Sequence, residues 1–184
     1  GDVFVGGDIV IPANAGAGKV LTSDASGRAS WKESHVAFES EVSNVFSLSV
    51  GSFGSGSQKI PFATEMFDDG GIYDPSAGVY EFTAPVNGVY SIEAGVTFAH
   101  SGGGKTTCSL ALIKNGVSNT PLKTSSSVLD QPGELHSATI TATVRLAAGD
   151  KITVEAVMNT SSSINIQPSP INKNWFSGHL VYGF

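Results

Sequence analysis

The chain has little charge, a single cysteine and no run of basic residues. Only 14% of its 184 residues are charged, while 22 are glycine. Helix surfaces are normally rich in Glu, Lys and Arg, so this composition disfavours a helical protein and favours short strands joined by turns. The lone cysteine, Cys108, excludes a framework of disulfides within the chain but leaves the cellular compartment open.

Basic residues are the scarcer charged type. The sequence has 16 Asp and Glu against 10 Lys and Arg, which gives a net charge of −6. Nucleic-acid binding requires neutralised phosphates, so we expect no nucleic-acid partner. No apolar run approaches the roughly 20 residues of a membrane span, and we expect no membrane insertion. The sequence begins at Gly1 without a methionine or a signal peptide, which suggests a fragment or processed product of a longer chain.

Apolar and polar residues alternate in several segments. The pattern is continuous over residues 90–98 and recurs over residues 138–146, 152–156 and 178–184. A period of two places one face of a strand on a core and the other toward solvent or a partner. Turn sequences such as Asn115-Gly116 separate these segments. The pattern therefore predicts an all-β, antiparallel sandwich or jelly roll.

Two regions fit this pattern less well. Phe38, Val42, Val45 and Phe46 have the spacing of a helical stripe, but the neighbouring Ser and Asn residues disfavour a helix. We predict a short strand near residues 36–39, followed by a loop or a further strand.

Residues 1–33 contain too few core-forming side chains to fold alone. We predict that they form a neck that three copies could order around one axis, with a boundary near residues 32–34.

The sequence AHSGGGKTT at residues 99–107 has features of two functional motifs. Gly104-Lys105-Thr106 ends a relaxed phosphate-loop pattern, and Ser101 occupies the centre of a lipase-like nucleophile elbow. Asp130 and His136 then follow Ser101 in the order of a hydrolase triad.

Both motifs require a strand followed directly by a helix. Here the next segment alternates instead, with Cys108, Leu110 and Leu112 separated by other residues, and this predicts a second strand. We therefore interpret AHSGGGKTT as an exposed connection between two strands, and we expect no enzymatic activity.

Metal and cofactor sites are not indicated. The spacing of His35, His100, His136 and His179 is not that of metal ligands, and we expect no cofactor. Asp68 and Asp69 are candidate calcium ligands, although paired acids beside two glycines are more typical of a turn.

Ordered motifs from about residue 35 to residue 184 resemble the globular head of complement C1q and its tumour-necrosis-factor-like relatives. The motifs are VAF at 36–38, IPF at 60–62, YDP at 73–75, GVYEF at 78–82, APVNGVY at 84–90, LIKNG at 112–116, VRL at 144–146, AGD at 148–150 and WFSGHLVY at 175–182. Tyr80 stands where the family more usually has phenylalanine.

This resemblance implies a jelly roll of about ten strands that assembles as a tight trimer and has no catalytic residues. It also implies scaffold positions, in the core or at the threefold interface, for seven residues: Phe62, Tyr80, Phe82, Tyr90, Phe176, Gly178 and Tyr182.

The N-terminal segment carries a second resemblance. The sequence AGKVLTSDASGRASW at residues 17–31 is similar to segments that precede a distal domain in phage tail-fibre and bacterial surface proteins. The Gly-X-Y collagen repeat that vertebrate relatives place before the head is missing. We therefore expect residues 1–33 to form the neck, and residues 34–184 the head, of a viral or bacterial fibre.

These observations lead to one functional hypothesis. The chain is the non-enzymatic, trimeric head of a phage tail or receptor-binding protein, located on the virion, and it binds host cell-surface polysaccharide or wall polymer. The predicted contact loops are residues 99–106, 117–133 and 158–173, because loops on a rigid scaffold carry recognition. The candidate contact residues are His100, Ser101, Lys105, Asn159 and Trp175, the last as an aromatic platform for a sugar ring.

Three alternatives remain open at this stage. One is a structural trimer of a fibre or capsid that has no ligand. Another is an extracellular bacterial adhesin, secreted or carried on the spore surface. A depolymerase is the third, and it would require clustered carboxylates.

Overall fold

The computed structural model of the chain describes residues 15–16, 19–23, 26–33, 36–168 and 174–183. The regular secondary structure within these ranges consists entirely of β-strands, so the prediction of an all-β fold is confirmed. The chain divides into two units, Gly1–His35 and Val36–Phe184. His35, Phe184 and residues 169–173 of the third predicted contact loop lie outside the described residues.

The described part of the N-terminal unit is an antiparallel hairpin. Strand β1 (Lys19–Ser23) pairs with β2 (Ala29–Glu33), and Lys19 lies opposite Glu33. The side chains of Val20 and Leu21 are 44% and 43% exposed. An isolated two-stranded hairpin is only marginally stable in water.

The larger unit, called the sandwich below, contains thirteen strands among its described residues. Three of them are only two residues long, so ten are longer. In chain order they are β3 (Ala37–Glu41), β4 (Phe46–Ser47), β5 (Gln58–Lys59), β6 (Thr64–Asp69), β7 (Tyr73–Asp74), β8 (Glu81–Thr83), β9 (Gly88–Gly103), β10 (Thr106–Lys114), β11 (Lys123–Leu129), β12 (Leu135–Leu146), β13 (Lys151–Met158), β14 (Ser162–Ile166) and β15 (Trp175–Gly183).

These strands form two antiparallel sheets. The six-stranded sheet has the order β11-β10-β13-β8-β7, and β5 pairs with β13 beyond the end of β8. The seven-stranded sheet has the order β4-β14-β9-β15-β3-β6, and β12 pairs with the other edge of β9. Their apolar faces enclose one core, and the predicted jelly-roll sandwich is confirmed.

The longest strand, β9, connects most of the seven-stranded sheet. It pairs with β12 along one edge and with β15 and then β14 along the other. Between β15 and β14 the buried side chain of Asn174 replaces a strand: its amide oxygen accepts the backbone N–H of Thr97 at 2.6 Å, and its amide nitrogen donates to the carbonyl of Gln167. Pairing buried backbone groups in this way lets β9 continue across the gap.

An aromatic cluster joins the two sheets. The ring of Phe38 stacks on Tyr73 and Phe82, with centroid separations of 4.9 and 5.2 Å, and meets Phe176 edge-on at 4.9 Å. The Tyr73 hydroxyl donates to the carbonyl of Phe62 at 2.7 Å, so the buried phenol is satisfied. Burial raises the pKa of Tyr73, which keeps the hydroxyl protonated as a donor.

Most predicted strands are confirmed, but the three predicted contact loops need correction. Strand β9 runs on to Gly103, so Gly104 and Lys105 alone connect it to β10. Strands β11 and β14 lie inside the segments predicted as loops 117–133 and 158–173. Both strands are rich in serine and lie toward the edges of their sheets. Their structure depends on hydrogen bonds to the neighbouring strand more than on an apolar face, so the sequence shows little apolar alternation there. The helical alternative for residues 38–46 is wrong, because that region forms β3 and β4.

Replacing Gly178 by valine should destabilise the sandwich by about 1–3 kcal/mol, the usual cost of overpacking a core. A Cβ atom at Gly178 would lie 2.7 Å from Cδ1 of Ile92 and 2.9 Å from Cε1 of Phe38. Urea unfolding at fixed chain concentration measures the change. The matched control is Gly104→Val, because a Cβ at Gly104 meets no atom within 4 Å. Equal stability of the two variants would contradict the packing at Gly178.

Asp150 connects two turns of the sandwich. Its carboxylate accepts hydrogen bonds from Nζ of Lys114 at 2.6 Å, from Nδ2 of Asn115 at 2.8 Å and from the backbone N–H of Ala147 at 2.8 Å. Asn115 has φ 51°, which a turn through Asn-Gly tolerates. The Lys114 ammonium is the main cause that lowers the pKa of Asp150 from 3.8 to about 2.

The Asp150→Asn variant should lose about 1–2 kcal/mol of unfolding free energy at neutral pH, because a charge-assisted network is weakened. Since the pKa is lowered in the folded state, the stabilisation is present above the ordinary pKa and is lost as pH falls through about 2. The difference between wild type and variant should therefore shrink between about pH 4 and about pH 2. Urea unfolding across this range measures it.

Asp130→Asn provides the control for this pH series. Asp130 forms an ion pair with Lys105 at the surface, and such pairs contribute at most about 1 kcal/mol. A stability difference between wild type and Asp150→Asn that stays constant down to about pH 2 would contradict the role of the Asp150 charge.

Candidate functional site

Three turns meet at one end of the sandwich. This region, called the hairpin end below, consists of Gly104 and Lys105 together with residues 130–134 and 159–161. Nζ of Lys105 lies 2.9 Å from Oδ1 of Asp130, and the Thr160 hydroxyl donates to the Lys105 carbonyl at 3.1 Å. Oδ1 of Asn159 accepts the backbone N–H of Thr107 at 2.8 Å. The three turns therefore support one another.

Glu134 organises the turn at residues 130–134. Its carboxylate accepts the backbone N–H groups of Asp130 at 2.6 Å and Gln131 at 3.2 Å, and these bonds lower the pKa of Glu134. The backbone of His100 exchanges hydrogen bonds with this turn, donating to Glu134 and accepting from Gly133. The turn is thus fixed to the end of β9.

A shallow cavity of about 480 Å³ opens beside the hairpin end. Serine hydroxyls and glycine backbone make up most of its wall, which can donate and accept hydrogen bonds at several points. The hydroxyl of Ser101 donates to the Ser163 carbonyl at 2.9 Å and so joins β9 to β14 beside it. The lining residues are Ser49, Val50, Gly102, Gly103, Met158, Ser161 and Ser163.

Four of the five predicted contact residues come together here, although in different settings. Lys105 and Asn159 lie at the hairpin end, Ser101 lies beside it in β9, and all three are already bonded to backbone groups or to Asp130. His100 is only 2% exposed, and its Nε2 lies 3.1 Å from the Gly102 carbonyl. His100 therefore supports the strand end from inside, and the hydroxyls around the cavity are better placed for direct contact.

Trp175 lies elsewhere, on the outer face of the seven-stranded sheet. Its indole covers Gly95 of β9, since a Cβ atom at that glycine would lie 2.3 Å from the ring. The missing side chain of Gly95 makes room for the ring. The partly buried Trp175 is therefore held against its own sheet rather than grouped with the hairpin end.

The strands of the seven-stranded sheet also have an unusual share of exposed apolar side chains. The strands of the seven-stranded sheet expose five large apolar residues, whereas the described strands of the six-stranded sheet expose Val128 alone. The five are Met66, Phe67, Leu135, Val181 and Tyr182. Exposed apolar patches on a folded domain mark surfaces of association.

The seven implied scaffold positions divide between core and surface. Phe62, Phe82, Tyr90 and Phe176 are fully buried, and Gly178 is buried among them. The Tyr90 hydroxyl donates to the Val86 carbonyl at 2.8 Å, which closes the preceding turn. Tyr182 is exposed on the outer face of the seven-stranded sheet, and Tyr80 is half-buried with φ 43°.

The hydrolase-like order of residues is not assembled into a triad. Ser101 donates to a carbonyl, Asp130 pairs with Lys105, and Nε2 of His136 lies 4.0 Å from Glu134. The buried Cys108 thiol also lacks the character of a nucleophile, because burial raises its pKa to about 12.

Asp68 has a structural role in a turn. Its two carboxylate oxygens accept the backbone N–H groups of Ile72 at 2.9 Å and Tyr73 at 3.1 Å. Asp69 lies opposite Ala37 at the start of β3. Within the described ranges no group of three or more His, Cys, Asp or Glu residues could hold a metal ion.

Sequence reasoning missed the serines around the cavity and one buried acid. Ser49, Ser161 and Ser163 come together because β14 pairs with the end of β9 on one side and with β4 on the other. Glu155 is buried even though its position in β13 alternates with the residues that enter the core. The sequence signal for this buried acid was a charged residue within a mostly apolar strand.

Two antiparallel sheets around one apolar core, with polar turns at one end, define the class of the fold as a jelly-roll sandwich. The chain belongs to the C1q domain family, whose model matches residues 32–181. Domains of this family are typically extracellular, trimeric and non-enzymatic. None of the curated proteins is significantly similar to the chain.

Solved structures of C1q and tumour-necrosis-factor domains share the fold. The globular domain of zebrafish complement 1qA protein has 17% identity and a TM-score of 0.57, over 82% of this chain and 99% of that one. The Eiger TNF from S. frugiperda has 12% identity and a TM-score of 0.55, over 82% and 94%. Murine APRIL at pH 5.0 has 14% identity and a TM-score of 0.53, over 80% and 99%.

The described residues include no helix of the length and apolarity that a membrane crossing requires.

Proposed function

We propose that the chain is the non-enzymatic, trimeric head of a bacteriophage tail or receptor-binding protein and attaches to host cell-surface polysaccharide or wall polymer. Membership in the C1q domain family supports the trimer and the binding role. The segment at residues 17–31, with its resemblance to phage tail-fibre sequences, supports a position on the virion. The sequence also lacks the collagen repeat of the vertebrate relatives.

The outer face of the seven-stranded sheet is the proposed interface between the three copies. It carries a cross-strand row in which Phe67 lies opposite Glu39, Ser177 opposite Glu93, and Glu93 opposite Thr141. Apolar side chains at both ends of this face, Phe67 and Leu135 among them, lose contact with water when copies associate. The described strands of the six-stranded sheet offer less apolar surface.

Light scattering of the wild-type protein should give three chains per particle. The Thr141→Arg variant should be monomeric, because a trimer would place three long charged side chains in the interface. Thr141 is exposed on β12. The control is Thr124→Arg, an equally exposed threonine on β11 of the other sheet, which should remain trimeric. A wild-type monomer at micromolar concentration, or equal behaviour of the two variants, would contradict this interface.

The hairpin end is the proposed contact surface for the polysaccharide. The observation that carries this proposal is the serine- and glycine-lined cavity of about 480 Å³ beside turns that are fixed by Glu134 and Asn159. Serine hydroxyls and backbone groups match the hydroxyls of a sugar, and rigid turns reduce the entropy lost on binding. A trimer presents three such surfaces, so contacts that are weak singly gain strength by multivalency.

Fluorescently labelled trimer should bind one group within a panel of Gram-positive and Gram-negative cells, and the binding should disappear when surface polysaccharide is removed. Ser161→Tyr should weaken binding at least tenfold, equivalent to about 1.4 kcal/mol, because the new ring fills the cavity. Ser126→Tyr, an exposed serine on β11, is the control and should bind normally.

Each contrary result has a distinct meaning. An intact trimer that binds no cell would favour a structural fibre or capsid head. Binding that survives removal of polysaccharide would indicate a different receptor, and release of sugar from the polysaccharide would indicate a depolymerase. Normal binding by Ser161→Tyr would exclude the cavity as the contact point.

A further inference from the structure

A second cavity, of about 460 Å³, lies between two loops that the hairpin end does not include. One wall is the glycine-rich segment 51–57, which leads into β5, and the other is the turn at residues 115–119 after β10. This loop cavity is lined by Gly54, Gly56, Ser57, Gly116, Val117, Ser118 and Asn119.

The two walls are in direct contact and their backbone is constrained. Gly54 has φ 87°, and a Cβ atom there would lie 2.8 Å from Cβ of Asn119. A Cβ at Gly51 would lie 2.4 Å from the Gly56 carbonyl oxygen. Ser52 and Ser55 exchange two backbone hydrogen bonds of 2.9 Å, which fold the segment back on itself. Only glycine fits at these close approaches, so the wall is built before any ligand arrives.

A buried carboxylate lies directly behind both walls. Glu155 of β13 is 5% exposed. Its Oε2 accepts the Ser57 hydroxyl at 2.5 Å, and its Oε1 accepts the Ser118 hydroxyl at 3.0 Å. One serine from each wall thus donates to the same carboxylate, and both serines line the loop cavity.

The negative charge of Glu155 has no cationic partner among the described residues. No Lys, Arg or His nitrogen in that part of the chain lies within 4.0 Å of its carboxylate. Lys59 is opposite Glu155 in the register of β5 with β13, but its Nζ donates to the Val79 carbonyl at 3.3 Å. Burying a carboxylate without a counter-charge is costly, and a cation bound nearby would reduce that cost.

The hydrogen bonds to Glu155 determine what the loop cavity can recognise. The protons of the Ser57 and Ser118 hydroxyls are committed to the carboxylate, so both oxygens keep only acceptor lone pairs for a ligand. The charge behind them strengthens this acceptor character, because hydrogen bonds in a chain polarise one another. The site therefore favours a group that donates hydrogen bonds and carries positive charge.

We propose that the loop cavity binds an ammonium-bearing saccharide unit, with Ser57 and Ser118 accepting hydrogen bonds from its ammonium and Glu155 supplying the compensating charge. In taking the ligand to be a surface saccharide, this inference rests on the proposed function, and it names the chemical class that the function leaves open. A cavity of about 460 Å³ is large enough for a single sugar ring.

Titration calorimetry on the intact trimer at about pH 6, where an amine is protonated, provides the test. D-glucosamine is the probe, and glucose and N-acetylglucosamine are the uncharged comparisons. Glucosamine should bind at least tenfold more tightly than either neutral sugar. Glu155→Gln keeps one acceptor oxygen, for the hydroxyl of Ser57 or of Ser118, but removes the charge, so the affinity of this variant for glucosamine should fall to that for glucose.

Val117→Lys provides a second variant that leaves Glu155 in place. Val117 is exposed at the wall, and a lysine there brings its own ammonium into the loop cavity and should abolish glucosamine binding. Val128→Lys, at an exposed valine on β11, is the matched control and should bind glucosamine as the wild type does.

Equal binding of glucosamine and glucose, or normal glucosamine binding by Val117→Lys, would overturn the proposal and leave Glu155 as a structural link between the two loops. Cell binding measured on the same samples separates the two proposals. Wild-type trimer that binds cells but not glucosamine contradicts this inference alone, whereas trimer that binds glucosamine but no cells contradicts the proposed function alone.

Discussion

The packing of aromatic rings around Phe38 is the interaction on which the rest of the structure depends. Phe38 and Phe176 belong to the seven-stranded sheet, while Tyr73 and Phe82 belong to the six-stranded sheet. The stacking of Phe38 on Tyr73 and on Phe82 therefore crosses from one sheet to the other. Buried aromatic pairs add to area burial through their geometry, so they fix the distance and angle between the sheets.

A rigid sandwich separates the surfaces available for self-association from those available for a ligand. Strand pairing leaves one broad face of the seven-stranded sheet with exposed apolar residues such as Tyr182. The turns, in contrast, are polar and held by buried or charge-assisted hydrogen bonds, as at Asp150 and Glu134. A face can pack against another copy while the turns at its ends stay in water. Family membership and the proposed carbohydrate binding are therefore compatible in one small domain.

Much of this arrangement could be predicted from the sequence because the central strands alternate strictly. In β9 and β12 every second residue enters the core, so periodicity alone identifies them. The same alternation of core-facing residues, continued two residues beyond Phe98, would have predicted that His100 is buried. Strands β11 and β14 have no such signal, because serine and threonine dominate them and their neighbours supply the pairing. For that reason the predicted loops were longer than the real turns.

The candidate sites were harder to predict, because they depend on contacts between distant parts of the chain. Ser57 and Ser118 are far apart in sequence and meet only through Glu155, whose outward position on β13 is covered by two loops. Nothing in the sequence around either serine indicates this partner. Once the sheets fix β13, however, the Glu155 carboxylate is held beneath two polar loops, where the two serine hydroxyls donate to it. Because no Lys, Arg or His nitrogen of the described residues lies within 4.0 Å of this carboxylate, the ammonium of the proposed ligand would supply its counter-charge.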